Sequence, residues 1–317
     1  MDIKARILEL KKERNAVILA HYYVPDEVQE IADYIGDSFY LSKIATGIEA
    51  DTIVFCGVSF MGESAKILNP NKIVIMPDET ADCAMAHMAA VDKIQKVREQ
   101  YDDVAVVCYI NSVAELKVHS DVCVTSANAV KIVEALPNKD IYFIPDVNLA
   151  RYVAGKVKDK HFIFNDGFCP IHHALTKEEV EKAKQQYPNA EFLVHPECQS
   201  EILDMADYIG STSGIIDYAT SCEAKEFIIG TEQGVLYELR KKNPDKVFHL
   251  VSDNMICHDM KKVTLEKVLG SLENMSYQME VNDEVRSADP ATYKANARAL
   301  ISALRSKYGN NVPIIWL

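Results

Sequence analysis

Residues 16–38, AVILAHYYVPDEVQEIADYIGDS, decide the fold, because their order recurs twice more along the chain. AVILAHYY reads as a buried strand, PDEVQEIA as a helix with Pro25 at its first turn, and DYIGDS as a second, short strand. The same order stands in VAVVCYINSVAELKVHSDVCVTS, residues 104–126, and in AEFLVHPECQSEILDMADYIGST, residues 190–212. His21, Tyr109 and His195 are each followed twelve residues later by an aspartate: Asp33, Asp121 and Asp207. From Asp33 to Asp121 the step is 88 residues and from Asp121 to Asp207 it is 86; Cys83, Cys169 and Cys257 are spaced by 86 and 88. Periods this long exceed those of ordinary solenoid repeats, so each copy reads as a small domain rather than as one layer of a stack.

The rest of each copy fits that reading. IKARILELKKER opens the first as a charged amphipathic helix, and after the quoted stretch come a helix FYLSKIATGIEA and a strand TIVFCGV. A helix GESAKILNP, closed by Asn69-Pro70, leads to a fourth strand KIVIM, with Cys83 in the loop beyond. The later copies supply DIYFIP and HFIFND, then EFIIGT and VFHLVS, as their third and fourth strands. Strands that are apolar nearly throughout and alternate with helices predict parallel sheets covered on both faces. The expected fold is therefore α/β, with three pseudo-threefold-related αβα domains, each carrying a small parallel four-stranded sheet, at 1–88, 89–174 and 175–260. Residues 261–317 are expected as a helical segment packing back on the first domain, from a helix TLEKVLGSLENM to a short terminal strand NVPIIWL. Ligands of such sheets bind beyond the carboxyl ends of the strands, where His21, Ser38, Met61 and Cys83 all fall.

Composition limits the function. The 317 residues carry 34 Lys+Arg against 47 Asp+Glu, a formal charge of −13 that argues against a nucleic-acid footprint. MDIKARILELKKERN is too charged for the apolar core of a signal peptide, and no apolar run approaches the roughly 18 residues of a spanning helix, so no membrane is expected and the expected location is cytoplasmic. Eight cysteines in a reducing compartment are not expected to pair as structural disulfides. Cys56, Cys108, Cys123 and Cys222, inside or beside predicted elements, read as core filling.

Cys83, Cys169 and Cys257 differ, because all three occupy matched strand-end loops, and three similar domains about a shared axis bring three thiols to one point. Three thiolates hold either a catalytic Zn²⁺ with an open position or three irons of a [4Fe–4S] cluster; spacing does not separate the two, and no local CxxC pair suggests a zinc ribbon. Ser38, Ser126 and Thr212 share a slot five residues after the repeat aspartate, where a strand gives way to a helix. One such hydroxyl is an ordinary N-cap; three helix N-termini together let an acidic protein bind polyanions without net positive charge. The first strand ends offer His21-Tyr22-Tyr23, Tyr109-Ile110-Asn111 and His195-Pro196-Glu197, a set of proton donors and acceptors for one asymmetric cavity, with His172 a further candidate three residues past Cys169.

Taken together, HYYVPDEVQEIADYIGDS, FMGESAKIL, YINS, VTSANA, GFCPIHH, HPEC and GSTSG resemble the quinolinate synthase family of NAD biosynthesis, in that family's order and over nearly the whole chain. The resemblance implies a transferase that condenses iminoaspartate with dihydroxyacetone phosphate to quinolinate, releasing phosphate and water. It implies three αβα domains around a central [4Fe–4S] cluster held by Cys83, Cys169 and Cys257, with one open iron as Lewis acid. It places His21, Tyr23, Ser38, Met61, Tyr109, Asn111, Ser126, His172, His195, Glu197, Ser211 and Thr212 along the site, with Tyr109 and Glu197 as main acid/base groups and His21, Tyr23 and His195 orienting oxygens. His172 is then expected to hold a phosphate or carboxylate. As partners it implies the two small substrates and a transient contact with an L-aspartate oxidase or aspartate dehydrogenase. Two places depart from the family's pattern: ADC stands where AGC is expected, so that Asp82 adds a charge beside a thiolate and lowers the expected cluster potential, and MICHDMK lacks the extra cysteines of a disulfide switch. Outside the resemblance, a different metal-dependent dehydratase or lyase and a non-catalytic iron–sulfur sensor remain the alternatives, the latter without a helix-turn-helix block or basic stripe to support it.

Overall fold

The computed structural model describes residues 2–282 and Val285. Its strands are β1 (Ala16–His21), β2 (Tyr34–Gly36), β3 (Thr52–Cys56), β4 (Ile73–Ile75), β5 (Val104–Tyr109), β6 (Val122–Val124), β7 (Asp140–Ile144), β8 (His161–Phe164), β9 (Glu191–Val194), β10 (Tyr208–Ile209), β11 (Glu226–Gly230) and β12 (Val247–Leu250). They form three four-stranded sheets of one topology, β2-β1-β3-β4, β6-β5-β7-β8 and β10-β9-β11-β12, with every neighbour parallel. Helices alternate with the strands in each, giving three αβα modules. β1, β5 and β9 are buried nearly throughout, as strands covered on both faces must be.

The repeat aspartates turn out to be structural. Asp33, Asp121 and Asp207 each accept, through Oδ2, the backbone N–H of Ile18, Val106 and Phe192 at 2.8, 2.7 and 2.7 Å, and each donates its own N–H to the carbonyl of that residue. The second strand is thereby locked to the first in the same register each time. A repeat-equivalent lysine ties the other side: Lys72, Lys160 and Lys246 point Nζ at backbone carbonyls of Ile48 and Ala50, Leu136 and Asn138, and Ala219 and Cys222. Cations at such orphaned carbonyls close the turn before the third strand.

The described chain forms two compact units. One combines Met1–Cys83 with Pro170–Glu280 and so holds the first and third sheets; the other contains Ala84–Cys169 and the second sheet. In the first unit Tyr22 buries its ring among Leu193, Ile215, Phe227 and Val235 of the third copy. The helix Leu265–Asn274 packs on Ile3–Glu13, Arg14 reaches the carbonyl of Glu273, and the chain after that helix runs antiparallel to β4 through Met76 N to Tyr277 O and Met279 N to Val74 O. The terminal strand expected at NVPIIWL lies outside the described residues. In the second unit Ile94, Val106, Leu116, Tyr142 and Ile144 surround Cys108, whose buried thiol also meets Cys123, Ser112 and Ser120. Among the described residues no helix is long and apolar enough to cross a membrane.

Candidate active site

In each sheet the strand order reverses between the first and third strands, and the residues just past those two strand ends line a crevice. In the first unit these ends carry His21 at the close of β1, His195-Pro196-Glu197 after β9, and Thr231-Glu232 after β11. A continuous hydrogen-bonded chain joins them. Glu197 Oε2 lies 2.8 Å from His172 Nδ1, His172 Nε2 lies 2.9 Å from Thr231 Oγ1, Thr231 Oγ1 lies 2.8 Å from Tyr23 Oη, and Tyr23 Oη lies 2.8 Å from Thr212 Oγ1.

The carboxylate fixes the direction of the whole chain. Glu197 only accepts, so His172 donates from Nδ1; with a neutral imidazole, Nε2 accepts from Thr231, which accepts from Tyr23, which accepts from Thr212. Thr231 and Tyr23 each give one proton and receive one. Burial, with Glu197 nearby, pushes the Tyr23 phenol well above its ordinary value, so it stays protonated as this order requires. Glu197 is 3 % exposed and His172 2 %, which makes these charge-assisted bonds strong and their loss costly.

Two further imidazoles flank the chain as neutral groups. His21 accepts the backbone N–H of Tyr23 at Nδ1, 3.1 Å away, and packs edge-on against the Tyr23 ring, leaving Nε2–H as its donor. Burial, helped by the Lys261 charge, holds its pKa down at about 3. His195 stacks obliquely on His172 with ring centres 4.8 Å apart, accepts the Glu197 N–H at 3.4 Å, and is held at about 4 by burial, with Glu197 pulling partly the other way. Both remain neutral at pH 7.

Sequence reading missed three members of this site. Thr231 is the pivot of the chain; Glu232, 1 % exposed, pairs with Lys261 at 2.8 Å; and Lys261 also donates to the Tyr23 carbonyl. Burial raises the Glu232 pKa while Lys261 and two backbone N–H groups restrain it. Thr231 and Glu232 fall where the carboxyl-end rule points, just past β11. Lys261 sits four residues past Cys257 in MICHDMK.

The remaining candidates are placed as follows. Ser38 and Thr212 are first helical residues, not caps: Asp37 caps Ser38–Ala45 through the Tyr40 N–H, and Ser211 caps Thr212–Ser221 through the Gly214 N–H. The carboxylate and the serine hydroxyl one residue earlier reach the open N–H groups, which leaves the Thr212 hydroxyl for Tyr23. Met61 is buried in the helix Ser59–Leu68. In the second unit Tyr109 closes β5 and is buried, Asn111 holds a buried side-chain Oδ1 without a hydrogen-bond partner, and Ser126 lies two residues before Asn128, the cap of Ala129–Ala135.

Cys83, Cys169 and Cys257 each follow the fourth strand of their sheet, and each is half-buried. Burial, then Glu232 and Asp259, raises the Cys257 thiol to about 11, so only a cation of its own would make it a thiolate at neutral pH. A donor set of three partly buried thiols at one repeat position, with no local CxxC pair, suits a three-cysteine cluster with one open iron.

Comparison with known proteins gives a concordant result. The family model described as "Quinolinate synthetase A protein" matches residues 5–295. The chain is 53% identical to a quinolinate synthase of Clostridioides difficile over 284 residues, 90% of this chain and 93% of that relative. It is 54% identical to one from Fusobacterium nucleatum (89% of this chain, 94% of the relative) and 49% identical to one from Thermodesulfovibrio yellowstonii (88% and 92%).

Proposed function

The chain belongs to the quinolinate synthetase A family, and from that premise we propose that it is a quinolinate synthase that condenses iminoaspartate with dihydroxyacetone phosphate, releasing phosphate and water. The observation that carries the reading to residues is the directed chain from Thr212 to Glu197, flanked by two neutral imidazoles. Ring formation from an imine and a ketose phosphate removes C–H protons and delivers protons to leaving hydroxyls, so a site needs separate acids and bases.

Cys83, Cys169 and Cys257 are the residues that would hold a [4Fe–4S] cluster, whose open iron supplies Lewis acidity for dehydration. The protein's own groups divide the remaining work. Glu197, with His172 as its hydrogen-bonded partner, is one acid/base group, and Tyr109 is the second. His21 and His195 present neutral N–H groups to substrate oxygens, where a charged imidazolium would tie up a carboxylate instead. His172, engaged at both ring nitrogens, orients Glu197 rather than gripping phosphate. Asn111 offers its orphaned amide oxygen, Ser38, Ser211 and Thr212 sit at helix starts where an anion is favoured, and Ser126 lies two residues before the cap of another helix.

The three modules then serve one enzyme, acting in the cytoplasm on small substrates. Because the imine hydrolyses readily, a transient contact with the L-aspartate oxidase or aspartate dehydrogenase that forms it belongs to the same reading. The test is anaerobic incubation of the purified protein with enzymatically generated iminoaspartate and dihydroxyacetone phosphate, following quinolinate and phosphate. One quinolinate per phosphate is expected; phosphate release without a pyridine product would assign a different lyase.

A further inference from the structure

The three cysteines share a contact that their spacing does not reveal: a carboxylate takes the backbone N–H of each. Cys169 N donates to Asp146 Oδ2 at 3.1 Å, and Cys257 N donates to Glu232 Oε1 at 3.1 Å. Both acids stand at the same place, two residues past the ends of β7 and β11, where strand pairing aligns Ile144 with Cys108 and Gly230 with Val194. Their equivalence is fixed independently by the next residue. Val147 N bonds the carbonyl of Gly167, and Gln233 N bonds the carbonyl of Met255, each two residues before the cysteine.

The first copy makes the same bond, Ser59 N to Ala81 O at 2.9 Å, which puts Val58 at the position of Asp146 and Glu232. An apolar residue there leaves no carboxylate for Cys83. Asp82 supplies it instead: its Oδ1 accepts the Cys83 N–H at 2.8 Å and the Ser59 hydroxyl. At the matching position the other copies have Phe168 and Ile256, both apolar. The first copy has thus exchanged the two positions, acid for apolar and apolar for acid, and kept the hydrogen bond.

We propose that Asp82, Asp146 and Glu232 are positioning residues for the three cysteine ligands, and that Asp82 replaces in the first copy the strand-end carboxylate of the other two. The inference rests on the cluster reading above. A cysteine whose N–H is held by a carboxylate has its loop fixed with that donor turned away from sulfur, and it sits beside a negative charge. Fewer N–H···S bonds and more negative charge both lower a cluster's reduction potential.

Three variants of the anaerobically purified holoprotein test this: Asp82→Asn, which keeps an acceptor and removes the charge; Asp82→Ala, which removes both; and Val58→Asp with Asp82→Ala, which restores the arrangement of the other copies. The readouts are iron release to a chelator and the potential at which the cluster is reduced, followed by its visible and paramagnetic spectra. Asp82→Asn should raise the potential with iron content unchanged. Asp82→Ala should raise it further and speed iron release roughly 10–100-fold, the usual effect of losing an outer-shell partner. The double variant should return both quantities toward the parent. Unmoved potential and release in Asp82→Ala, or a double variant that moves neither back, overturns the inference while the cluster reading stands. A parent protein that binds no iron and sulfide sinks the cluster reading itself, and this inference with it.

Discussion

Replacing Glu197 by Gln should cost far more in turnover than in stability. The residue is 3 % exposed and its Oε2 receives the His172 Nδ1–H at 2.8 Å. Gln keeps the shape and one acceptor oxygen, so the bond weakens from charge-assisted to neutral, a change of about 1 kcal/mol. Should the amide nitrogen face His172 instead, His172 must donate from Nε2, and Thr231 and Tyr23 must each reverse; every hydroxyl can do so, and the packing survives. Either arrangement leaves no carboxylate to accept a proton. Loss of a positioned general base lowers turnover roughly 10²–10⁴-fold, about 3–5 kcal/mol in activation free energy. The assay is single-turnover quinolinate formation under anaerobic conditions, with iron content and urea midpoint measured on the same preparation. Normal iron, a midpoint shifted by no more than about 1 kcal/mol and turnover down at least a hundredfold are expected; turnover within about threefold of the parent would remove Glu197 from the chemistry.

Thr231→Val removes the pivot and strands a buried acceptor on His172 and a buried donor on Tyr23, so stability should fall by about 2–4 kcal/mol and turnover by roughly 10-fold or more, read from urea unfolding and the same assay. Ser at Cys83, Cys169 or Cys257 should abolish or make labile the cluster absorbance, while Ser at the core residues Cys56 and Cys108 should leave iron per folded chain unchanged; the reverse pattern would assign other ligands. His21 and His195 titrate near 3 and 4 when folded and near 6.5 when unfolded, so the unfolded chain binds more protons between those values. Their contribution is complete above about pH 6.5 and lost on acidification, by about 2 kcal/mol each at about pH 5, and His195→Gln should flatten the fall in urea midpoint between those pH values. Asp121→Ala removes the side-chain acceptor that locks β6 to β5 and should lower stability by about 1–3 kcal/mol without altering iron content, measured by thermal unfolding.

The repeat made much of this legible. Among the described residues the strands stand where the apolar runs and the threefold repeat place them, because a parallel sheet buried on both faces demands such runs and the same order occurs three times. The register residues were visible too, since Asp33, Asp121 and Asp207 recur at fixed spacing, although their role in locking strands rather than in the site required the bond to the β1, β5 and β9 backbone. The caps were displaced by one residue: Ser38 and Thr212 share a slot with good capping chemistry, but Asp37 and Ser211 hold the extended backbone that a cap needs. What sequence could not give was contact between separate copies. Tyr23 meets Thr212 across 189 positions and Thr231 across 208, a distance no local pattern spans. The exchange of Val58 and Asp82 was hidden for a related reason, because ADC differs from its repeats only in a way that the hydrogen bond to Cys83 makes meaningful.

In the proposed reaction three repeat-equivalent cysteines and a directed proton chain serve one condensation, a joint requirement that a single preparation can check. It is tested most directly by measuring iron, sulfide and quinolinate formation on a single anaerobic preparation of the parent protein and of Cys169→Ser. About four irons and four sulfides per parent chain are expected, with quinolinate formed in proportion to cluster content, and neither in the variant. Quinolinate formation by a parent protein free of iron, or undiminished in Cys169→Ser, would contradict it.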